Sequence, residues 1–525
     1  ALGAELAPGE RAAAEQRWFE ATVHLVGFLY QQRSQGRRIA SHGTRIALPD
    51  LLAALAVFEC NVAADASQAD AAIGYVTNLE QLVSSLGLPR VLQRIGEVRK
   101  KLAERLPAWS HARFEAESQE VDRKLEAGEL QGALTGALSL RERAEAAGDA
   151  YEGAAYDRAM AAFRLGSVLE QGGSASEALA PIEQAREGFA RLAAAGNLNA
   201  AQMESMCIAE KGDALMALGR LDEAAAAYEE SAKRADELGD KRGAAIARFQ
   251  LGTVRRLQRR LDEALAAYQE ALATFETLGE PGIVATAWHQ IGIVHEQAGS
   301  FDGAEQAYRR SLAVKAEGGD RAGEAMTLNQ LGSLYNDAGR FEEAIAFFKQ
   351  AVDRFREVKN AFRESLSLGN LGVSLHELRR FDEAREALLS AIEARKAYGH
   401  AAEPWKTWAA LADLERDAGR PADAEKARAQ AIATYRAYRE AGGEPTDQAT
   451  QLIVAFGQAL RTSGADAARA MLPEPAQVPD WLAATVRALQ AIAEGSRDPA
   501  LADDPALYPT QAVELALLLA SLSSA

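Results

Sequence analysis

The feature that most restricts how this chain can fold is a fixed frame. LDEAAAAYEES from Leu221, LDEALAAYQEA from Leu261, FDGAEQAYRRS from Phe301, FEEAIAFFKQA from Phe341 and FDEAREALLSA from Phe381 start 40 residues apart, without insertion or deletion. A weaker sixth copy, PADAEKARAQA, starts at Pro421. Twelve residues before the shared Ala of each copy stands a small residue: Gly212, Gly252, Gly292, Gly332, Gly372 and then Ala412. Self-similarity at a period of tens of residues specifies one supersecondary unit used repeatedly, each copy burying its apolar face on the next. A chain of 525 residues exceeds a single ordinary core, and a solenoid meets that length by addition.

Each unit reads as two helices. Leu261, Ala264, Leu265, Tyr268, Ala271, Leu272 and Phe275 recur at the i, i+3, i+4, i+7 spacing of one buried helix face. Ala244, Ala247, Leu251 and Val254 do the same in the preceding segment. Turns such as Leu218-Gly219-Arg220 and Ala338-Gly339-Arg340 join the two, with Gly in the left-handed position that ends a helix. Asp222-Glu223, Asp262-Glu263 and Asp382-Glu383 then put carboxylates where the next helix dipole favours them. Gly279-Glu280-Pro281 and Gly319-Asp320 punctuate the joins between hairpins. Gly252 and Ala264 let two backbones approach, while Tyr268, Tyr308 and Phe348 are large enough to fill space toward a neighbour.

These residues resemble the tetratricopeptide signature. Leu331-Gly332, Tyr335, Ala344, Phe348 and Ala351 match it in order, and Trp288 and Trp408 fall where its Trp belongs. The longer 40-residue class resembles the arrays of kinesin light chains and of bacterial STAND signalling NTPases. The resemblance implies an all-α solenoid of helical hairpins in a right-handed superhelix, with first helices lining a concave face. Departures are local: Arg259 and Arg379 replace the turn Gly, and Lys211 replaces the Leu.

The flanks divide the chain into a helical region over 1–110, degenerate hairpins over 111–200, the array over 201–441 and a helical cap and tail over 442–525. Leu165-Gly166 followed by Glu177-Ala178, with Gly172-Gly173 between, marks a degenerate copy. The polar stretch Ser34 to Arg45, with Arg37, Arg38, His42 and Gly43, reads as a solvated connector. Gln448 to Leu460 and Trp481 to Ile492 read as helices, and the Asp- and Pro-rich run Ser496 to Pro509 reads as loose.

Composition narrows function. A net charge of −17 repels phosphate backbones and argues against nucleic acid. The run Arg255, Arg256, Arg259, Arg260 is the local exception, suited to an acidic peptide. Two distant cysteines, Cys60 and Cys207, build neither a disulfide framework nor a thiolate metal site, which points to the reducing cytoplasm. Cys60, after the apolar run Leu51 to Phe58, reads as a buried thiol. No segment has the apolar length of a membrane span, and Ala512 to Leu522 reads as a packed helix. The first residue is not Met, which leaves room for a longer parent polypeptide or a trimmed chain.

Motifs for chemistry are missing. GxxxxGK[ST], HExxH and GxSxG do not occur, and His289 and His295, six apart, do not share a helix face. The expectation is a binding protein without cofactor or metal, not an enzyme. The resemblance places a peptide-binding groove on the first helices. Three residues before each repeat Gly stand Phe249, His289 and Asn329, with Gly369 in the next unit; four after stand Arg256, Glu296, Asn336 and His376. Asn329 and Asn336 suit the task because an amide both donates to and accepts from an extended backbone. Trp408 packs by the signature, and Trp405 is assigned to contact with the C-terminal cap. The leading function is a ligand-sensing or docking module, in one version the sensor fused to an upstream NTPase or effector. The alternative is a free-standing scaffold joining several proteins.

Overall fold

The computed structural model describes residues 8–34, 39–65, 68–84, 86–104, 109–445 and 447–523. All the regular structure of the described residues is helical. It falls into two units, one ending at Glu280 and one beginning at Pro281.

Unit 1 opens with four helices: α1 (Pro8–Ser34), α2 (Ile39–Ala64), α3 (Ala69–Ser84) and α4 (Pro89–Glu104). Val26, Leu51, Leu55, Ile73, Leu79 and Ile95 from these helices meet in one core. The expected connector over Ser34 to Arg45 is corrected in part. His42, Gly43 and Arg45 lie inside α2, whose apolar stripe begins with the buried Ala40; Arg37 and Arg38 lie outside the described residues. Cys60 is also corrected: it is exposed, not buried. The buried stripe of α2 runs Leu51, Leu55, Phe58, Val62, and a residue five after Leu55 falls on the opposite side of a 3.6-residue turn.

Four hairpins complete unit 1: α5 (His111–Glu126) with α6 (Leu130–Ala147), α7 (Ala154–Gln171) with α8 (Ala175–Ala194), α9 (Leu198–Ala217) with α10 (Leu221–Glu237), and α11 (Lys241–Leu257) with α12 (Leu261–Leu278). Unit 2 has four more: α13 (Pro281–Gln297) with α14 (Phe301–Gly318), α15 (Arg321–Asp337) with α16 (Phe341–Glu357), α17 (Ala361–Glu377) with α18 (Phe381–Arg395), and α19 (Pro404–Asp417) with α20 (Pro421–Glu440).

One contact sets the spacing inside each hairpin. A Cβ added to Gly212 or Gly252 would stand 2.9 Å from the ring of Tyr228 or Tyr268; at Gly292 and Gly332 it would stand 2.5 and 2.6 Å from Tyr308 and Phe348. Leu388 replaces the ring opposite Gly372. The aromatic residue therefore lies on the glycine of its own hairpin, 16 residues back, rather than reaching toward a neighbour as expected. These rings are fully buried. Gly166 stands in the same relation to Ile182, which gives α7 and α8 the same packing.

Local chemistry ends each helix where the frame requires. Between hairpins, Asp240, Asp320 and Asn360 cap the next helix by accepting from the amides of Gly243, Gly323 and Arg363, at 2.9, 2.9 and 3.1 Å in turn. Within hairpins the turn residue is left-handed, as Gly at 219, 299, 339 and 419. Arg259 and Arg379 take the same conformation at φ of 64° and 56°, so replacing the Gly leaves the turn unchanged and adds backbone strain.

The end of unit 2 is a cap of α21 (Gln448–Ser463), the short α22 (Ala465–Ala470), α23 (Asp480–Ala493) and α24 (Pro509–Ser523). Ile453, Phe456, Leu489, Leu507, Leu515 and Leu518 form its core. The run Ser496 to Pro509 is not loose: Leu507 and Ala502 are buried in that core, and Asp498 and Asp504 accept from the amides of Ala500 and Ala506. Its Asp residues are turn formers here. Trp405 meets the cap as expected, its ring 5.3 Å from Tyr435 and 4.8 Å from Tyr438, beside Val513 of α24. The carboxylate of Glu514 accepts from Tyr435 at 2.9 Å and pairs with Arg439, which joins α24 to the last hairpin.

Two stability tests follow. Gly292→Ala and Gly332→Ala are expected to lower stability in urea melts by about 2 kcal/mol each through overpacking. An exposed helical Gly→Ala change would instead raise it by about 1 kcal/mol, so the sign is diagnostic. Arg259→Gly and Arg379→Gly are expected to raise stability by about 1 kcal/mol each by relieving the left-handed turn.

Candidate functional site

The first helices of unit 2 are α13, α15, α17 and α19, and a ladder of side-chain hydrogen bonds runs between consecutive members. Gln330 Nε2 of α15 donates to Glu296 of α13 at 3.1 Å. Ser367 Oγ of α17 donates to Asn329 Oδ1 at 2.8 Å, and Ser374 Oγ to Asn336 Oδ1 at 2.7 Å. His376 Nε2 of α17 lies 3.0 Å from Oδ2 of Asp417, the last residue of α19. Stacked hairpins leave such polar positions facing one another because their apolar stripes point into the core.

All five expected groove residues of unit 2 are half-buried members of this row: His289, Glu296, Asn329, Asn336 and His376. Four of them are rungs of the ladder. Asn329 and Asn336, seven residues apart, share a face about 10 Å apart along the helix. Both carboxamide oxygens already accept from buried serines, and neither Nδ2 donates to another described residue. The amide function expected of them is thus divided: the oxygen fixes the side chain and the N–H groups remain to be used. Glu296 also accepts from the Tyr308 hydroxyl at 2.6 Å, so its carboxylate is held by two helices.

His289 differs. Its ring lies 5.4 Å from that of Tyr308, its Nδ1 is sealed without a partner, and burial lowers its pKa to about 4, with Lys315 adding to the effect. It is a neutral, space-filling residue at pH 7.

In unit 1, Phe249 packs edge-on against Tyr268 at 5.1 Å, the hydroxyl of that tyrosine lies 2.9 Å from Thr253 Oγ1, and Nε of Arg256 is sealed without a partner. Phe249 and Arg256 are half-buried. The arginine run is corrected as a peptide lure. Arg255 pairs with Glu229 at 2.5 Å and Glu263 at 3.3 Å, and Arg260 with Glu263 at 2.6 Å, so two of its four charges are already matched within the chain.

The ladder partners Ser367, Ser374, Gln330 and Asp417 were not singled out from sequence. A signal existed: Ser367 and Ser374 each lie 38 residues after their Asn, two short of the period. Among the described residues no three His, Cys, Asp or Glu gather to hold a metal, and no helix is long and apolar enough to cross a membrane.

Comparison with known proteins accords with the frame. Residues 204–277 and 283–357 match one family model described as tetratricopeptide repeat, and residues 329–402 match a second. The middle of the chain is therefore built of tetratricopeptide repeats. No curated protein matches the sequence. Among solved structures, a STAND protein with a tetratricopeptide repeat sensor from Pyrococcus horikoshii is 15% identical, with 65% of this chain covered, 55% of that chain and a TM-score of 0.47. The apo quorum sensor NprR from B. thuringiensis is 12% identical over 69% of this chain and 97% of its own, with a TM-score of 0.45. BtubC (BKLC) from P. vanneervenii is 20% identical over 43% of this chain and 95% of its own, with a TM-score of 0.39.

The His289 environment yields a titration test. Its folded pKa, about 4, lies below the ordinary 6.5, so the unfolded chain binds the extra proton between those values. Stability should therefore fall as pH drops from 6.5 toward 4, and His289→Leu should flatten that part of the profile. The imidazole resonance of His289, followed by NMR, is expected to stay neutral down to pH 5.

Proposed function

We propose that this tetratricopeptide-repeat chain is a docking or sensing module, and that the first-helix row of unit 2 grips the backbone of an extended protein or peptide segment. The observation that carries this reading is the pair Asn329 and Asn336. Two amides are locked by buried serines with their N–H groups unspent, on one face, two helical turns apart. Peptide carbonyls are acceptors at every residue, so donors held in this way grip a chain with little regard to its side chains. Glu296 and His376 would then set preference among ligands, with mixed polarity. His289 supplies apolar contact rather than charge.

Holding the donors in advance matters energetically. A side chain ordered only on binding costs about 0.5–1.5 kcal/mol, and the serines have already ordered these two. Nothing in the row resembles a catalytic constellation: no general base faces a nucleophile, and the carboxylate of Glu296 is committed to Tyr308 and Gln330. The free thiols Cys60 and Cys207 fit a reducing cytoplasm.

The sensing version of this reading, in which the chain reports ligand to an attached NTPase or effector, requires that binding alter the stacking of hairpins. The scaffold alternative requires separate partners on separate hairpins.

The test is selection of ligands from a random peptide library on the full chain, followed by affinity measurement with Asn329→Asp and Asn336→Asp together. Aspartate keeps an oxygen for Ser367 and Ser374 to donate to and replaces the N–H donors with a second, charged oxygen that peptide carbonyls repel. Loss of two hydrogen bonds should weaken binding about 10-fold or more, at about 1 kcal/mol each. Unchanged affinity with an unchanged melting temperature would refute the groove assignment.

A further inference from the structure

The equivalent position in each second helix, 26 residues after the residue three before the repeat Gly, is Phe275, Lys315, Phe355 and Arg395 in turn. Two of these four core positions hold cations. Arg395 is 7% exposed, in a place where its counterparts Phe275 and Phe355 are buried rings. Burying a charge is costly unless it is fully matched, so the guanidinium calls for an account of each of its donors.

Three donors are used, and all go to neutral oxygens. Nε donates to Ser365 Oγ at 3.2 Å, and Nη1 donates to Thr407 Oγ1 at 2.6 Å and the Ala402 carbonyl at 3.2 Å. Nη2 donates to no described residue, and no carboxylate among the described residues pairs with the group. Glu403 acts on the group only through its field, and its carboxylate is paired with Lys406 at 2.7 Å. Nη2 is also not sealed from solvent, in contrast to Nδ1 of His289.

What opens a path to it is a missing side chain. Gly369, on the first helix α17, stands in register with Phe249, His289 and Asn329. A Cβ added there would meet one heavy atom within 4 Å, and that atom is Arg395 Nη2 at 3.7 Å. At the equivalent step two repeats earlier, His289 fills the window, and its neighbour Lys315 spends its ammonium on Thr327 Oγ1 at 2.9 Å behind it. Only at Gly369 is the first-helix row cut away over a buried cation with donors to spare.

We infer that Gly369 and Arg395 form an anion subsite in the first-helix row of unit 2, shaped for one carboxylate of a bound peptide, from an acidic side chain or from its C-terminus. The inference rests on the groove reading above for its natural ligand, but the subsite itself does not need Asn329 or Asn336. Ser365, Thr407 and the Ala402 carbonyl hold the guanidinium plane, so an incoming oxygen meets a fixed donor. A charge-assisted hydrogen bond in a half-buried place is stronger than a neutral one. The carboxylate also neutralises a cation that the folded chain leaves unmatched.

The experiment uses the full chain, with the guanidinium nitrogens of Arg395 observed by 15N NMR and assigned by their loss in Arg395→Lys. N-acetylaspartate amide presents a side-chain carboxylate, N-acetylglycine a terminal one, and N-acetylasparagine amide is the neutral control. A saturable shift of the Nη2 signal with at least one carboxylate, and none with the amide, is expected. Which carboxylate binds tighter identifies the source. Gly369→Leu should lose at least 10-fold in affinity by covering Nη2, and Gly369→Ala, whose Cβ makes only ordinary contact, should melt no lower than the parent because a helical Gly is replaced. No carboxylate-dependent shift, or equal binding in Gly369→Leu, would overturn the subsite. If the small carboxylates fail while peptides still depend on Asn329 and Asn336, the subsite falls and the groove stands; the reverse result separates them the other way.

Discussion

The contact on which the array depends is a ring lying on a glycine. Tyr228, Tyr268, Tyr308 and Phe348 each occupy the volume that a side chain at Gly212, Gly252, Gly292 or Gly332 would need. That contact fixes how close the two helices of a hairpin come. It also fixes which stripe each presents to the next hairpin, because a helix has one buried face and the glycine chooses it. Everything outside the contact is freer to vary. Leu388 substitutes for the ring over Gly372, and Ile182 over Gly166, with the hairpin kept. A helical glycine costs about 1 kcal/mol relative to alanine. Its persistence in every clear copy but the last reflects the larger cost of displacing a buried ring.

The frame explains why the fold was legible and where reading stopped. Period, hairpin and turn each followed from residues that recur at fixed spacing, and Asp320 caps a helix at the join that Gly319-Asp320 punctuates. Outside the frame the reading had only composition. Cys60 was assigned to the core from an apolar run, but burial on a helix depends on angle, and the stripe Leu51, Leu55, Phe58, Val62 turns it outward. The Asp- and Pro-rich run before α24 was read as loose, yet a single leucine, Leu507, anchors it. The arginine run looked like a free charge patch because Glu229, 26 residues before Arg255, becomes its neighbour only after helices stack.

The candidate site was legible in position but not in chemistry. Register alone found Asn329 and Asn336, since seven residues return a helix to nearly the same face. It could not say that their oxygens were engaged, because Ser367 and Ser374 belong to the next hairpin. His289 shows the opposite failure. A histidine on a groove face suggests a polar or titrating contact, whereas burial against Tyr308 lowers its pKa to about 4 and leaves it neutral. Sequence register gives the face a residue occupies. Its charge state and free donors depend on the depth of the stack and on neighbours one repeat away.

Departures from a strict repeat then separate into two kinds. Arg259 and Arg379 depart from the turn glycine yet adopt its left-handed geometry, so the packing imposes the conformation and the chain carries the strain without altering its neighbours. Arg395 departs differently, since it replaces a core ring by a charge and the repeat does not absorb it. The hydroxyls of Ser365 and Thr407 hold its Nε and Nη1, and Nη2 is left over. Gly369 departs in the same hairpin, and in the one place that bares that nitrogen. Either change alone would be a local irregularity: a glycine over a phenylalanine exposes only apolar surface, and an arginine beneath a side chain stays covered. Together they put an unspent donor of a buried cation within reach of the row that carries Asn329 and Asn336.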